Sequence, residues 1–235
     1  YENLMIQSNV ISASKKNNIE ELLFLGSSCI YPREENKRLK EEDLLSSRLE
    51  KTNEAYAVAK IAGIKMCESF NKQYDTDYRS VMPTNLYGAG DNYHPTNSHV
   101  IPGLIRRFHD AKVKDEEIVE VWGTGLPRRE FLNVDDLAEA CTHIMTIDKK
   151  EFRRITKDTN LINVGYGDDI TIKELSKLIA DIVGFNGKIM FKNDELDGVQ
   201  KKLLDISKIT STGWRPNIDL ASGLNKTYKD FLTYN

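Results

Sequence analysis

Only three cysteines occur among the 235 residues. Cys29, Cys67 and Cys141 are odd in number, widely spaced and without paired metal-ligand spacing, so neither a disulfide framework nor a zinc site is expected. No metal enters the reading, and a reducing cytosol is the expected compartment, making the protein cytoplasmic. Long apolar runs are also missing: none approaches the ~20 residues that span a bilayer, and nothing at the start resembles a signal peptide. No charge sign dominates, because 33 basic and 36 acidic side chains leave a net charge of -3. That balance gives no electrostatic reason to expect nucleic acid or an anionic membrane as partner, although local basic residues can still bind a phosphate. The sequence has no internal repeat and no low-complexity stretch. What is there, 40% hydrophobic and 29% charged residues, suits a globular chain with length for one large or two small domains.

One further absence concerns order along the chain. A doubly wound nucleotide-binding domain opens with a strand, a glycine-rich turn and a helix. None of these precedes Tyr1, and residues 1–17 read instead as a helix with Leu4, Met5, Val10 and Ile11 as candidates for its apolar face. Either the chain carries part of such a domain, or its fold is a different one.

Glu21 to Leu25 reads as a short buried strand ending at Gly26, with Ser27, Ser28 and Cys29 at its carboxyl end. Pro32 breaks regular structure ahead of a charged loop at 33–51. Thr52 or Asn53 is placed to cap a helix from Glu54 to Tyr74. Its Ala55, Ala57, Ala59 and Ala62 admit close approach, either by the helix of a second copy or by ordinary core packing. Further strands are expected at 78–81, 118–122, 161–164 and 188–191. Helices are expected from Ser98 or His99 to Phe108, from Val134 to about Ile147, at 171–183, near 205–209 and at 220–231. The alternation predicts an α/β fold with a parallel sheet and a smaller α/β lobe built from the later part of the chain.

The chemistry centres on Tyr56 and Lys60. A spacing of four on one helix puts both side chains on the same face, one turn apart. A phenol titrates near ~10 and is a poor acid–base catalyst at neutral pH, but a cation one turn away favours the phenolate and lowers that value. The pair is then suited to give or take a proton at a carbonyl or alcohol, with a serine hydroxyl from the strand end holding the substrate oxygen. The carboxyl end of a parallel strand is where ligands of open sheets bind. Cys29, a thiol near ~8.5 when unperturbed, and His99, an imidazole near ~6.5, are each able to exchange protons once their surroundings tune them. Read singly, Cys29 is more often a small buried hydrophobe, and His99 more often a helix-cap or core residue. His94, His109, His143, Cys67 and Cys141 keep that structural reading.

The strings GSSCIYP at 26–32, NEAYAVAK at 53–60, PTNLYG at 83–88, NSHVIP at 97–102, and WGTG at 122–125 followed by RREFLNVDDLA at 128–138 together resemble the extended short-chain dehydrogenase/reductase family. The cysteine after the serine pair and the histidine of NSHVIP resemble its epimerising reductases of sugar nucleotides. The resemblance implies a Rossmann-like doubly wound parallel sheet, its N-terminal strands missing, with a C-terminal α/β substrate-binding lobe. On it, residues 1–150 hold the partial sheet with the catalytic residues and some interleaved lobe elements, and 151–235 mainly the lobe. It implies 3,5-epimerisation and then 4-keto reduction of a GDP-linked 4-keto-6-deoxy sugar, with NADPH as cofactor, in a homodimer formed through the Tyr56 helix. Tyr56 would donate the proton at the 4-keto oxygen, Lys60 would lower its pKa and hold the nicotinamide ribose, and Ser27 would orient the keto oxygen. Cys29 and His99 would exchange protons at carbons 3 and 5. Leu25, Gly26, Ser27, Ser28, Lys60, Pro83, Thr84, Asn85, Leu86 and His99 would face the cofactor. Arg107, Trp122, Arg129, Asp197 and Lys202 would hold the substrate, with Arg128 a solvated surface charge.

Two other readings stay open. Another sugar-nucleotide epimerase, dehydratase or reductase of the same superfamily would use Tyr56 and Lys60 without needing Cys29 or His99. A non-catalytic sugar-nucleotide-binding module would follow from the absence of a glycine-rich fingerprint, and on that ground the chain is expected to bind dinucleotide poorly.

Overall fold

The computed structural model describes residues 1–32, 37–157, 159–192, 197 and 199–233; the first four residues of the charged loop at 33–51 lie outside them. In chain order the elements begin α1 (Glu2–Lys16), β1 (Glu21–Leu25), α2 (Glu54–Tyr74), β2 (Asp77–Pro83), β3 (Asn85–Tyr87) and α3 (Val100–Val113). They continue as β4 (Ile118–Trp122), β5 (Arg128–Arg129), β6 (Phe131–Asn133), α4 (Val134–Thr146), α5 (Lys149–Thr156), β7 (Leu161–Val164) and β8 (Ile170–Thr171). Then come α6 (Ile172–Val183), β9 (Lys188–Lys192), β10 (Lys201–Lys202), α7 (Ser207–Ser211) and α8 (Leu220–Phe231). Single 3-10 turns lie at Ser28–Ile30, Glu41–Asp43 and Lys51–Asn53.

These elements belong to two compact units, each built from three segments of chain. The first comprises 1–84, 137–167 and 204–215, and the second 85–136, 168–203 and 216–235. The expected division at 150 falls inside the first unit. The reason is strand pairing: β7 joins β2 in parallel register, Val81 opposite Ile162 and Met82 opposite Asn163, which returns the chain to the first sheet after α4 and α5.

In the first unit the strands run in the order β1-β2-β7, all parallel. Parallel neighbours need crossovers, supplied here by α2 between β1 and β2 and by α4 and α5 on the return to β7. This is the Rossmann-like α/β arrangement. Every residue of β2 is buried, including Asp77 and Arg79. Burying that cation is offset by a full set of partners. Arg79 pairs with Asp77 at 2.5 Å, donates to the carbonyls of Ile144 and Ile147, and lies 4.6 Å from the centre of the Phe152 ring. A core that includes Ile11, Phe24, Ile64, Tyr78, Met82 and Leu161 surrounds the sheet.

The apolar face expected on α1 is not what α1 buries. Only Ile11 of the four candidates is buried, with Gln7 beside it, while Leu4, Met5 and Val10 are exposed. The side-chain amide of Gln7 donates to the Ala59 carbonyl of α2, so the two helices meet through a polar group laid on small residues.

The second unit has its own core, including Ile105, Phe108, Leu175, Ile179 and Phe231. Its strands form two parallel pairs, β3 with β6 and β4 with β9, and a short mixed sheet in the order β10-β5-β8. Helix α6 shows the local logic most clearly. Thr171 caps it by accepting from the Glu174 N–H at 3.0 Å, Glu174 reaches back to the Thr171 N–H at 3.0 Å, and Gly184 ends it at φ +77°. Sequence periodicity missed α5 because its eight residues are mostly charged. Asp148 nevertheless caps it, accepting from Lys150 and Glu151, and Phe152 anchors it in the core. Strands of two or three residues such as β5, β8 and β10 are too short to show alternation. Among the described residues, no helix is long and apolar enough to cross a membrane.

Candidate active site

Strand β1 ends at Gly26, whose N–H donates to Val81 O at 2.8 Å, and Ser27 follows in extended backbone at φ -160° and ψ 142°. A Cβ on Gly26 would lie 2.7 Å from Met82 Sδ and 3.0 Å from the Val81 carbonyl, so glycine lets the two strand ends close together. The Ser27 hydroxyl caps the turn Ser28–Ile30, accepting from the Cys29 N–H at 3.2 Å. It is also hydrogen-bonded to the phenol of Tyr56 on the first turn of α2. The structure thus brings Ser27, Cys29 and Tyr56 together at the carboxyl end of β1. Lys60, one turn further along α2, donates from Nζ to Leu25 O at 2.9 Å, with its ammonium 5.2 Å from the centre of the Phe24 ring and 5.9 Å from that of Tyr56.

The electrostatics differ from the expectation on one point. Lys60 does not depress the Tyr56 phenol here. Partial burial pushes that phenol above its usual value, the Ser27 hydrogen bond works against the rise, and the neighbouring Cys29 adds to it. Burial also lowers the Lys60 ammonium, because the charged form loses water that a single carbonyl only partly replaces. Spacing placed the cation near the phenol, but the ammonium is directed to a backbone oxygen.

Of the other residues expected near a cofactor, Ser28, Pro83 and Thr84 are buried in the first unit, and the Thr84 N–H donates to Val164 O at 3.0 Å. Asn85 and Leu86 belong to the second unit in β3, where Asn85 Nδ2 donates to Glu130 O at 2.9 Å and Leu86 pairs with Leu132. His99, also of the second unit, is the N-cap residue of α3; its imidazole is exposed and makes no cap hydrogen bond. The carboxyl end of β1 offers a donor set that fits a nicotinamide dinucleotide: an ammonium with one of its three donors on Leu25, and the paired hydroxyls of Ser27 and Tyr56.

The five expected substrate residues all lie in the second unit, in two clusters. Arg107 donates to Glu120 O at 2.7 Å and sets its guanidinium 5.0 Å from the centre of the Trp122 ring, which is 57% exposed. An exposed indole backed by a guanidinium is a platform for a planar base. In the second cluster Arg129 and Lys202 are register partners of β5 and β10, and the Asp197 carboxylate acts electrostatically on Arg129. Burial lowers the Arg129 pKa, and Asp197 opposes that shift. Asp197 is fixed by Thr124, which donates from its N–H at 3.0 Å and its hydroxyl at 2.6 Å. Thr124 was not among the sequence candidates, although its position between Gly123 and Gly125, at φ +77° and +76°, marks a tight loop built around it.

Arg128, its side chain 40% exposed, is a surface charge with a fixed partner. It is bound to the carboxylate and the backbone carbonyl of Asp169, fastening β5 to β8. The remaining histidines have structural partners: His94 accepts from the Thr96 and Asn97 N–H groups, His109 meets the Tyr228 hydroxyl at 3.0 Å, and His143 meets Thr212 at 2.8 Å. Burial pushes the Cys67 thiol up to about 12 and raises that of Cys141. Among the described residues no group of three or more His, Cys, Asp or Glu side chains is placed to hold a metal ion.

Residues 1–164 match the model of the NAD dependent epimerase/dehydratase family. Over 233 residues, 99% of this chain and 73% of the relative, the sequence is 52% identical to a GDP-L-fucose synthase of Escherichia coli K12. A solved GDP-6-OMe-4-keto-L-xylo-heptose reductase from C. jejuni superposes with a TM-score of 0.93 at 38% identity, over 100% of this chain and 76% of that one. A GDP-mannoheptose C4 reductase from Campylobacter jejuni with NADP bound gives 0.87 at 37% identity, over 99% and 76%. With a serine–tyrosine–lysine centre at the end of a parallel strand and a family match over most of its length, the chain belongs to the NAD dependent epimerase/dehydratase family.

Proposed function

We propose that the chain carries the chemistry of a GDP-L-fucose synthase: epimerisation of GDP-4-keto-6-deoxy-D-mannose at carbons 3 and 5, then reduction at carbon 4. The observation that carries this reading is the grouping of Ser27, Tyr56 and Cys29 at the carboxyl end of β1, with Lys60 one turn away. Epimerisation comes first because the protons at carbons 3 and 5 are acidic only while carbon 4 is a ketone. Cys29 and His99 take a proton from one face of each carbon and return one to the other. The Ser27 and Tyr56 hydroxyls hold the 4-keto oxygen, where negative charge collects in the enolate. In the reduction Tyr56 delivers its proton to that oxygen, and the Ser27 hydrogen bond favours the phenolate left behind. Bound nicotinamide dinucleotide supplies the hydride.

Lys60, Leu25, Gly26 and Ser28 hold the cofactor on the first unit, with Pro83, Thr84, Asn85, Leu86 and His99 contributing. NADP is the form we favour, on the strength of the similar C4 reductase whose solved structure contains it. Arg107 and Trp122 take the guanine end of the substrate, and Arg129, Lys202 and Asp197 its diphosphate and sugar. Two copies pair through α2, where Val58 is 54% exposed, and the reaction belongs to the cytoplasm.

A second reading is a C4 reductase that leaves carbons 3 and 5 alone, favoured by the names of the two similar solved structures. Cys29→Ser separates the two. The epimerase-reductase is expected to lose deuterium uptake at carbons 3 and 5 in heavy water by about 100-fold, the lower range of an acid–base contribution, while still reducing the epimerised ketosugar. An unaffected Cys29→Ser variant rejects the reading.

A further inference from the structure

Asn163, in β7, has no exposed surface, and every polar group of its side chain is used within the first unit. Its side-chain carbonyl accepts from the Tyr31 hydroxyl at 2.6 Å. Its amide donates to Leu39 O at 2.9 Å and to Asp205 O at 3.1 Å, and its backbone N–H donates to Glu41 Oε1 at 2.9 Å. One strand residue therefore gathers Tyr31, Leu39 and Glu41, all from the stretch that follows Cys29, and all three are buried. The set requires an amide, since no other neutral side chain accepts at one atom and donates twice from the next. Glu41 is fixed in turn by Lys208 at 3.2 Å.

Tyr31 comes directly after the turn that bears Cys29. The front of that turn is held by Ser27, which accepts from the Cys29 N–H, and its far end by Tyr31, whose N–H donates to Ser28 O at 3.4 Å. A single 3-10 turn has few hydrogen bonds of its own. Where the thiol sits then depends on what anchors the residue after it.

We propose that the Tyr31–Asn163 hydrogen bond is a positioning device for Cys29, serving proton transfer at the carbons beside the ketone and not the hydride step. Tyr31 and Asn163 are positioning residues, set apart from the reacting atoms by the turn itself. The inference rests on the proposed role of Cys29, so its test has one arm that needs neither substrate nor cofactor.

The variant is Tyr31→Phe, with Tyr78→Phe as control. Tyr78 is also a buried tyrosine and loses a hydrogen bond of its own, hydroxyl to Ile19 O at 2.9 Å, at the opposite end of β1 from the site. The first arm follows alkylation of each cysteine by iodoacetamide, resolved by peptide mass spectrometry. Tyr31→Phe is expected to raise the Cys29 rate about tenfold, the scale of one lost buried hydrogen bond, with Cys67 and Cys141 unchanged. The second arm compares deuterium uptake at carbons 3 and 5 with reduction of the already epimerised ketosugar. Uptake is expected to fall about tenfold while the reduction kcat stays within about twofold. Tyr78→Phe, whose hydroxyl acts on Cys67, should change neither the Cys29 rate nor the ratio of uptake to reduction.

An unchanged Cys29 alkylation rate, a rise shared by Cys67, or a parallel fall in exchange and reduction overturns the proposal. No uptake by the unaltered chain would sink the epimerase reading alone, and the alkylation arm would still decide whether Tyr31 and Asn163 place the thiol.

Discussion

Gly63 sets two opposing physical effects against each other, and their balance reaches the candidate active site. It lies inside α2, three residues beyond Lys60, where helix propensity alone makes Gly63→Ala stabilising by about 1 kcal/mol. Packing works the other way. A Cβ at this position would lie 2.4 Å from the ring-tip carbon of Phe24 and 2.9 Å from the side-chain amide carbon of Gln7. Carbon atoms rest at roughly 3.5–4.0 Å, so the ring would have to retreat by more than about 1 Å. Phe24 is only 8% exposed, and Gln7 is held by its hydrogen bond to Ala59, so neither neighbour gives way easily. Overpacking of this kind costs about 1–3 kcal/mol, and a contact this short belongs in the upper part of that range. The expected net effect is a loss of about 1–2 kcal/mol, or a Tm lower by about 2–8 °C. The Lys60 ammonium lies over that same ring, so reduction at carbon 4 should slow as well. Urea unfolding followed by circular dichroism reads the stability term directly. A higher urea midpoint with an unchanged slope would mean that propensity wins and that α1 and α2 are less tightly packed than described.

Glu42 gives a pH signature. Its hydrogen bond to Lys208 at 2.9 Å, assisted by Lys157 at 3.5 Å, lowers the carboxyl from 4.5 to about 2. A folded pKa below the unfolded one contributes stability that is present above about 4.5 and is lost as pH falls towards 2. The ceiling is roughly 3 kcal/mol, but a side chain 46% exposed is screened by solvent, leaving about 0.5–1 kcal/mol. Glu42→Gln should therefore cost that amount at pH 7 and nothing near pH 2 in parallel urea titrations; a difference independent of pH would remove Lys208 as the cause. Val58→Glu tests the proposed pairing: light scattering after gel filtration should find the unaltered chain at twice the mass of the variant, and equal masses would discard pairing through α2.

What the sequence made legible was whatever depends on neighbours along the chain. Helix α2 runs over Glu54–Tyr74 and α8 over Leu220–Phe231, as read from their apolar spacing, and Thr171 caps α6 because the box Thr171–Glu174 is a local device. The pairing of β7 with β2 is not local, and with it went the placing of a division at 150. The site divides along the same line. A tyrosine and a lysine four apart, with a serine at a strand end, could be read as one cluster because each spacing is short or marked by a motif. The direction in which each pKa in that cluster shifts could not be read so. It is governed by how much water Tyr56 keeps and by which oxygen takes the Lys60 ammonium, and the oxygen is Leu25 O, 35 residues away in sequence. Arg128 repeats the lesson: its neighbours in sequence give no sign that this exposed charge is bound to Asp169, 41 residues on. Asn163 is the extreme case, since an asparagine in the strand LINV carries no mark of function, and its importance lies entirely in the four partners that reach it from distant segments. Motifs thus expose the groups proposed to act on substrate, whereas the groups proposed to aim them are visible only once the chain has closed on itself.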